Sequence, residues 1–169
     1  MRYRFTSDLS EQGIDNLIKQ LEQYQRDLQH HLDLFVKRLG EIGIPVVNAY
    51  IARAKGDSDK THNTEVFLDG EGNVRSARLI LYGPDILFIE FGAGIHYNNG
   101  NAHPKAAELG YGVGTYPDQK YAINPGYWWY LGDDGETHFS LGTQATMPMY
   151  NASLEMMRRV SDIAREVFG

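Results

Sequence analysis

The sequence contains no cysteine among its 169 residues. This absence excludes disulfide bonds, zinc sites built from thiolates and a cysteine nucleophile, and it is typical of proteins kept in a reducing compartment. Long apolar runs are also absent, since the longest, such as Ile86–Ile89, have only the length of a strand. Residues 1–6 lack the apolar stretch of a signal peptide. We therefore expect a soluble protein that is made and kept in a cytoplasm, without membrane contact.

Basic residues are in short supply, with 16 Lys and Arg against 22 Asp and Glu and a formal net charge of −6. Such a chain has no general electrostatic attraction for nucleic acid, because that attraction depends on neutralising phosphates. Hydrophobic residues at 42% and charged residues at 22% are close to the globular average. These values predict one folded domain over residues 1–169.

Apolar periodicity predicts a long N-terminal helix that follows Ser10. Its apolar residues recur every three or four positions: Ile14, Leu17, Ile18, Leu21, Tyr24, Leu28, Leu32, Phe35, Leu39 and Ile42. Gly43–Pro45 predicts a break or a kink. Val46–Ala54 again has helical spacing and could continue the first helix beyond that point. A last helix is expected to carry Pro148 in its first turn.

Strand-like runs fill the middle of the chain. Thr64–Leu68 and Val74–Tyr82 flank an Asp-Gly turn and predict a β-hairpin, and Ile86–Phe91 predicts a third strand. Trp128–Leu131 and Thr137–Ser140 predict a second hairpin. We therefore predict an α+β fold: a long N-terminal helix, a small and mainly antiparallel sheet built from hairpins, and a C-terminal helix packed on the sheet.

The sequence gives little evidence for a catalytic or metal site. Gly110–Thr115 lacks the Lys-Ser/Thr pair of a phosphate-binding loop, and the histidines lack metal-ligand spacing. The best hydrolytic set is Glu90 with His96 and His103, but Glu90 is also consistent with an outward position on a half-buried strand. We expect no enzyme activity, catalytic residue, cofactor or metal. The alternative is a small enzyme or ligand-binding domain that uses the Gly-rich loop and Glu90.

Aromatic residues are concentrated around a long loop at about 92–126, which is rich in glycine and tyrosine. Consecutive Trp128 and Trp129 must point to opposite faces of a strand, so either both faces are covered or one tryptophan is exposed. Because interfaces are enriched in Trp and Tyr, we interpret this region as a subunit interface. A two-sided core covered by a helix is the alternative. The candidate interface residues are Tyr97, Tyr111, Tyr116, Trp128, Trp129 and Tyr130.

Two short motifs resemble those of a known phage family. Leu87–Gly94 is similar to a signature with an aromatic residue shortly before Val/Ile-Glu-Phe-Gly-Thr/Ala-Gly. Gln144–Ala152 is similar to the Pro-aromatic-x-x-Pro-Ala-like run that opens the last helix of the same family. The motif residues are Phe88, Glu90, Phe91, Gly92, Gly94 and Pro148. The chain thus resembles the head–tail connector or tail-completion (neck) proteins of long-tailed phages and prophages.

This resemblance implies a virion structural protein that acts as a ring-forming adaptor. Its implied partners are further copies of itself, in a hexamer or similar ring, and the neighbouring neck and tail proteins. DNA would pass through the ring only as cargo. The implied location is the head–tail junction of the virion, reached after assembly in the host cytoplasm.

Overall fold

The computed structural model describes residues 3–8, 10–70, 76–98, 103–116, 126–132 and 134–169. It confirms the predicted α+β class. The helices are α1 (Glu11–Arg53), α2 (Ile86–Phe91), α3 (Ala106–Leu109) and α4 (Pro148–Phe168), and the strands are β1 (Asn63–Asp69), β2 (Ser76–Tyr82), β3 (Trp128–Leu131) and β4 (Thr137–Ser140). The turn residues Glu71, Gly72 and Asp133, together with Val74 and parts of the loop at 92–126, lie outside the described residues.

Helix α1 is a single helix of 43 residues, about 65 Å long at about 1.5 Å per residue. The Ser10 hydroxyl accepts a hydrogen bond from the Gly13 N–H at 3.0 Å and caps its first turn. A break at Gly43–Pro45 does not occur, and residues 46–53 continue the helix. The reason is tertiary: a Cβ on Gly43 would lie 2.4 Å from Leu79 Cδ2, so the hairpin packs directly onto the helix backbone there.

Helix α4 runs antiparallel to the C-terminal part of α1. Ala152, near the start of α4, is in the core cluster with Val47 and Ile51. At the other end of α4, the Phe168 ring lies 5.9 Å from the Phe35 ring. The first turns of α1 therefore extend beyond the end of α4, and we call residues 11–28 the helical arm.

The N-terminal segment folds back along this arm. The ring centroids of Tyr3 and Phe5 lie 4.8 and 5.7 Å from that of Tyr24. The Tyr3 hydroxyl donates a hydrogen bond to Asp27, which raises the pKa of Tyr3 to about 12. The segment thus covers one side of the arm and leaves the opposite side to solvent.

The described strands form two separate two-stranded antiparallel sheets, β1–β2 and β3–β4. The first pairs Asn63 with Tyr82, and the second pairs Trp128 with Ser140, so both predicted hairpins are confirmed. The prediction of a third strand at Ile86–Phe91 is wrong, because these residues form α2. Short apolar runs fit a buried helix or a buried strand equally well, and here Ile86, Ile89 and Glu90 share one buried helical face.

The main core lies where α1, α2 and α4 meet. It consists of Val47, Ile51, Ala54, Ile86, Ile89 and Ala152, with Leu79 and Leu81 of the first hairpin packed against it. The C-terminal helix therefore packs on α1 and meets the first sheet at the core. The loop at 92–126 contains one short element, α3, inside its described parts.

Two isoleucines of α1 provide a matched test of this packing. Ile51 is 1% exposed in the core, whereas Ile18 is 49% exposed on the arm. Ile51→Ala should lower the free energy of unfolding by about 3 kcal/mol, because it leaves a cavity, and Ile18→Ala should change it by less than about 0.5 kcal/mol. Urea denaturation followed by circular dichroism measures both values. Equal losses of unfolding free energy at the two positions would contradict the burial of Ile51 and the exposure of Ile18.

Candidate subunit interface

Glu90 is buried at the N-terminus of α4. Its carboxylate accepts hydrogen bonds from the backbone N–H groups of Met149 at 2.8 Å and Tyr150 at 3.0 Å. These N–H groups belong to the first turn of α4, where helix donors lack partners within the helix. Met147 precedes the helix without a side-chain cap, so Glu90 supplies the capping group and its negative charge faces the positive end of the helix dipole. An outward position of Glu90 on a strand is therefore wrong.

His103 completes the surroundings of this carboxylate. Its Nε2 lies 3.0 Å from Glu90 Oε1, and its Nδ1 accepts the Lys105 backbone N–H at 3.0 Å. Since Nδ1 is the acceptor, the ring proton lies on Nε2 and is donated to Glu90. His96 instead contacts the Tyr97 ring at 4.6 Å. The structure thus brings two of the three residues considered for hydrolysis, Glu90 and His103, within hydrogen-bond distance of each other.

Asn98 is a second buried polar residue that joins distant segments, and sequence reasoning missed it. Its side-chain nitrogen donates to the carbonyls of Gly94 at 2.9 Å and Thr143 at 2.7 Å. Its side-chain oxygen accepts the Ala145 N–H at 2.7 Å. An asparagine close to glycines is typical of a turn. The sequence around Asn98 does not indicate that its hydrogen-bond partner Thr143 lies 45 residues away.

The two motifs that carry the resemblance meet in space at these hydrogen bonds. Besides Glu90, the Ile89 carbonyl accepts the Thr146 N–H at 3.0 Å, and Ala93 pairs with Thr143 in an isolated β-bridge. Pro148 is fully buried at the start of α4. We call this contact between residues 87–98 and 141–152 the junction. It holds α2, the start of the loop and α4 as one unit.

Two motif glycines have backbone and packing requirements that other residues cannot meet easily. Gly92 and Gly94 have φ angles of 81° and 70°, in the region that favours glycine. A Cβ on Gly94 would lie 2.5 Å from the Trp128 ring, and one on Gly92 would lie 2.8 Å from the Asn98 side chain. The junction and the second hairpin are therefore packed directly on the backbone of the Glu-Phe-Gly turn.

The second hairpin exposes one aromatic face. Trp129 is 60% exposed and Leu131 is 72% exposed, and they alternate with Trp128, which is half-buried, and with Tyr130, which is 40% exposed. Phe139, directly opposite Trp129, lies 5.2 Å from it between ring centroids, and Tyr127 lies 5.3 Å from Phe139. We call this exposed group the hairpin patch. It consists of Tyr127, Trp129, Leu131 and Phe139.

The remaining aromatic candidates make contacts within their own chain, although Tyr111 and Tyr130 are 39% and 40% exposed. The Tyr116 hydroxyl donates to the Leu87 carbonyl at 3.0 Å, its ring contacts Phe88, and burial raises the pKa of this hydroxyl. Tyr111 stacks on Phe91 with ring centroids 5.1 Å apart. Among the six predicted interface residues, Trp129 is the one that the structure leaves most exposed.

Two of the other candidates belong to the second hairpin. Trp128 lies on the opposite face from Trp129, is half-buried and packs against Gly94. Tyr130 stacks on His138 at 5.5 Å, and Tyr97 is half-buried beside His96. The predicted interface residues did not include Tyr127, Leu131 and Phe139, although the period-2 alternation of strands places Tyr127 and Leu131 on the Trp129 face.

The helical arm carries a second exposed apolar surface. Ile14, Ile18 and Leu21 recur at spacings of four and three, and each is 45–49% exposed. Residues at these spacings lie on one face of a helix. Farther along α1 the corresponding residues Gly43 and Val47 are buried. The arm therefore presents an apolar stripe that lacks the cover α4 gives to the rest of α1.

Comparison with protein-family models, curated proteins and solved structures found no match. Among the described residues, no helix is both long and apolar enough to cross a lipid bilayer. Within the same ranges, no three His, Asp or Glu side chains come close enough together to hold a metal ion.

Proposed function

We propose that this chain is a virion structural protein, a ring-forming adaptor in the head–tail connector or tail-completion region of a tailed phage. The observation that carries the proposal is the presence of two separate exposed apolar surfaces on one small subunit, the arm stripe and the hairpin patch. Contiguous exposed apolar surfaces are typical of sites of protein association. The resemblance of two short motifs to those of phage neck proteins is the reason for proposing this kind of assembly.

A ring needs a heterologous interface, in which one surface of each subunit meets a different surface of the next. The arm stripe, which consists of Ile14, Ile18 and Leu21, lies on a projecting helix, whereas the hairpin patch lies on one face of a two-stranded sheet. Surfaces of such different shape suit head-to-tail contact better than self-pairing across a two-fold axis. Each copy would then use both surfaces, and successive subunit contacts could close into a ring.

The junction supports this proposal because it makes the body of the subunit a firm base for these surfaces. The Glu90 carboxylate accepts three hydrogen bonds from its own chain. A carboxylate engaged in this way has little capacity left to act as a general base. The alternative function, a small enzyme or ligand-binding domain that uses Glu90 and the Gly-rich loop, is therefore less well supported.

The acidic charge fits the proposed passage of DNA. With a net charge of −6, the ring would repel a passing duplex and reduce its adhesion to the lumen. The expected protein partners are further copies of the chain and the adjacent neck and tail proteins. In this proposal the protein is made in the host cytoplasm and remains in the virion at the head–tail junction.

Sedimentation velocity over a range of concentrations tests the proposal, with negative-stain electron microscopy of the largest species. Wild type should form closed rings. Ile18→Asp places a charge in the arm stripe and should weaken association about tenfold per contact, because the carboxylate must be desolvated. Asn16→Asp is the matched control, since it adds the same charge at an exposed position on the opposite side of the arm.

A protein that stays monomeric at every concentration, alone and with virion proteins of a phage that encodes it, would contradict the ring proposal. So would equal association by wild type and Ile18→Asp together with normal association by hairpin-patch variants. Circular dichroism of each variant establishes that any loss of assembly occurs in a folded subunit.

A further inference from the structure

A cavity of about 230 Å³ lies beside the second hairpin, where it is lined by Trp128 and Tyr130 and also by Leu131, the last residue of β3. Neither the hydrogen bonds of the junction nor the proposed ring contacts give this cavity a function. Its walls combine aromatic rings with two carboxylates: Phe88, Tyr116, Trp128, Tyr130, Asp57 and Asp85. Within the described part of the chain, no Lys or Arg lines this cavity.

The aromatic walls are held in place by contacts with one another and with residues outside the cavity. Phe88 and Tyr116 meet edge to face with ring centroids 4.8 Å apart, and the Tyr116 hydroxyl is tied to the Leu87 carbonyl. Trp128 is packed against Gly94, and Tyr130 stacks on His138. The faces of Trp, Tyr and Phe rings carry negative charge density and attract cations at close range. Four aromatic rings line this cavity, and each ring face that is turned toward it would attract a positively charged occupant.

The two carboxylates strengthen that preference. Asp57 Oδ2 accepts the Leu141 N–H at 2.9 Å, and Asp85 Oδ2 accepts the Asp59 N–H at 2.7 Å. These bonds orient both side chains and engage one oxygen of each. No ion pair between described residues involves Asp57 or Asp85. A cation in the cavity would supply the opposite charge that these carboxylates lack.

We propose that this cavity binds an organic cation with an ammonium group on an alkyl chain. The alkyl chain would pack between the rings, and the ammonium group would lie near Asp57 and Asp85. A lysine side chain of another protein and a free polyamine share this chemistry. The inference does not depend on ring formation, because the whole cavity is built from one chain.

The two tryptophans allow a direct optical test. The chain contains two Trp residues, and Trp129 lies on the other face of the hairpin. In the Trp129→Phe protein, Trp128 is the single tryptophan reporter in the cavity wall. The probes are Nα-acetyl-lysine N-methylamide, 1,5-diaminopentane and the neutral analogue Nα-acetyl-norleucine N-methylamide. Tighter binding of the lysine amide would point to a protein side chain, and tighter binding of the diamine would point to a polyamine.

We expect saturable changes in Trp128 fluorescence with both ammonium probes, and binding of the norleucine amide at least about tenfold weaker. Asp85→Asn should weaken ammonium binding about tenfold, whereas Asp69→Asn, at an exposed carboxylate of the first hairpin, should leave it unchanged. Isothermal titration of Trp128→Leu should show a similar loss, with circular dichroism to confirm folding.

Equal affinity for the lysine and norleucine amides would overturn the proposal, as would unchanged affinity in folded Asp57→Asn and Asp85→Asn proteins. The absence of any change in Trp128 fluorescence with either ammonium probe would also overturn the proposal. These measurements report ligand binding, by fluorescence or by isothermal titration, so their failure is distinguishable from a failure of ring formation seen by sedimentation.

Discussion

Replacing Glu90 with alanine is expected to lower the free energy of unfolding by about 4–6 kcal/mol. The change leaves the Nε2–H of His103 and the backbone N–H groups of Met149 and Tyr150 without their acceptor. Each unsatisfied buried donor costs about 1–3 kcal/mol. The loss also removes the capping charge at the N-terminus of α4. Urea denaturation at neutral pH measures the change.

Glu108→Ala is the control for this experiment. Glu108 is exposed and pairs with Lys105 at 2.6 Å on the surface, so its loss should cost at most about 1 kcal/mol. Glu90→Gln keeps one acceptor oxygen and should give an intermediate loss, which remains measurable if the alanine protein fails to fold. Similar small losses for Glu90→Ala and Glu108→Ala would mean that the junction does not hold α4.

Trp129→Ala is expected to weaken self-association by at least about thirtyfold per contact while the subunit stays folded. Trp129 is the most exposed of the candidate aromatic residues, and truncation of a central interface tryptophan costs roughly 2 kcal/mol or more. In a ring every contact carries the same change. Sedimentation of wild type and variant, with circular dichroism as the folding control, measures the effect.

Trp128→Ala provides the matched comparison on the opposite face of the same strand. Trp128 packs against the backbone of Gly94, so its truncation should mainly lower the melting temperature. If Trp129→Ala assembles like wild type, the hairpin patch is an ordinary surface and neighbour contacts must use the helical arm. If the two variants have the same effects on stability and assembly, the faces of the hairpin are not distinct.

The sequence by itself determined the elements whose causes are local. Both hairpins follow from turn residues between β-forming runs, and the predicted antiparallel pairing of β1 with β2 and of β3 with β4 is confirmed. The long N-terminal helix follows from its apolar period, and the start of α4 follows from Pro148. The opposite orientation of Trp128 and Trp129 follows from the two-residue repeat of a strand.

Tertiary structure decided the features whose partners are distant in sequence. Ile86–Phe91 forms a helix because its buried face meets α1 and α4, and its apolar run alone does not distinguish a helix from a strand. Packing against the first hairpin keeps α1 helical through Pro45, despite the local preference for a break. Local preferences are weak compared with burial of a whole helical face, so packing prevails where the two conflict.

The candidate sites show the same division. Composition and spacing located the aromatic region, but the exposed faces were decided by how the hairpin docks on the Glu-Phe-Gly turn. Glu90 and Asn98 acquire their roles from hydrogen-bond partners about 60 and 45 residues away. A buried polar group needs a hydrogen-bond partner, and the fold determines which residue supplies it. The sequence around the buried group does not identify that residue.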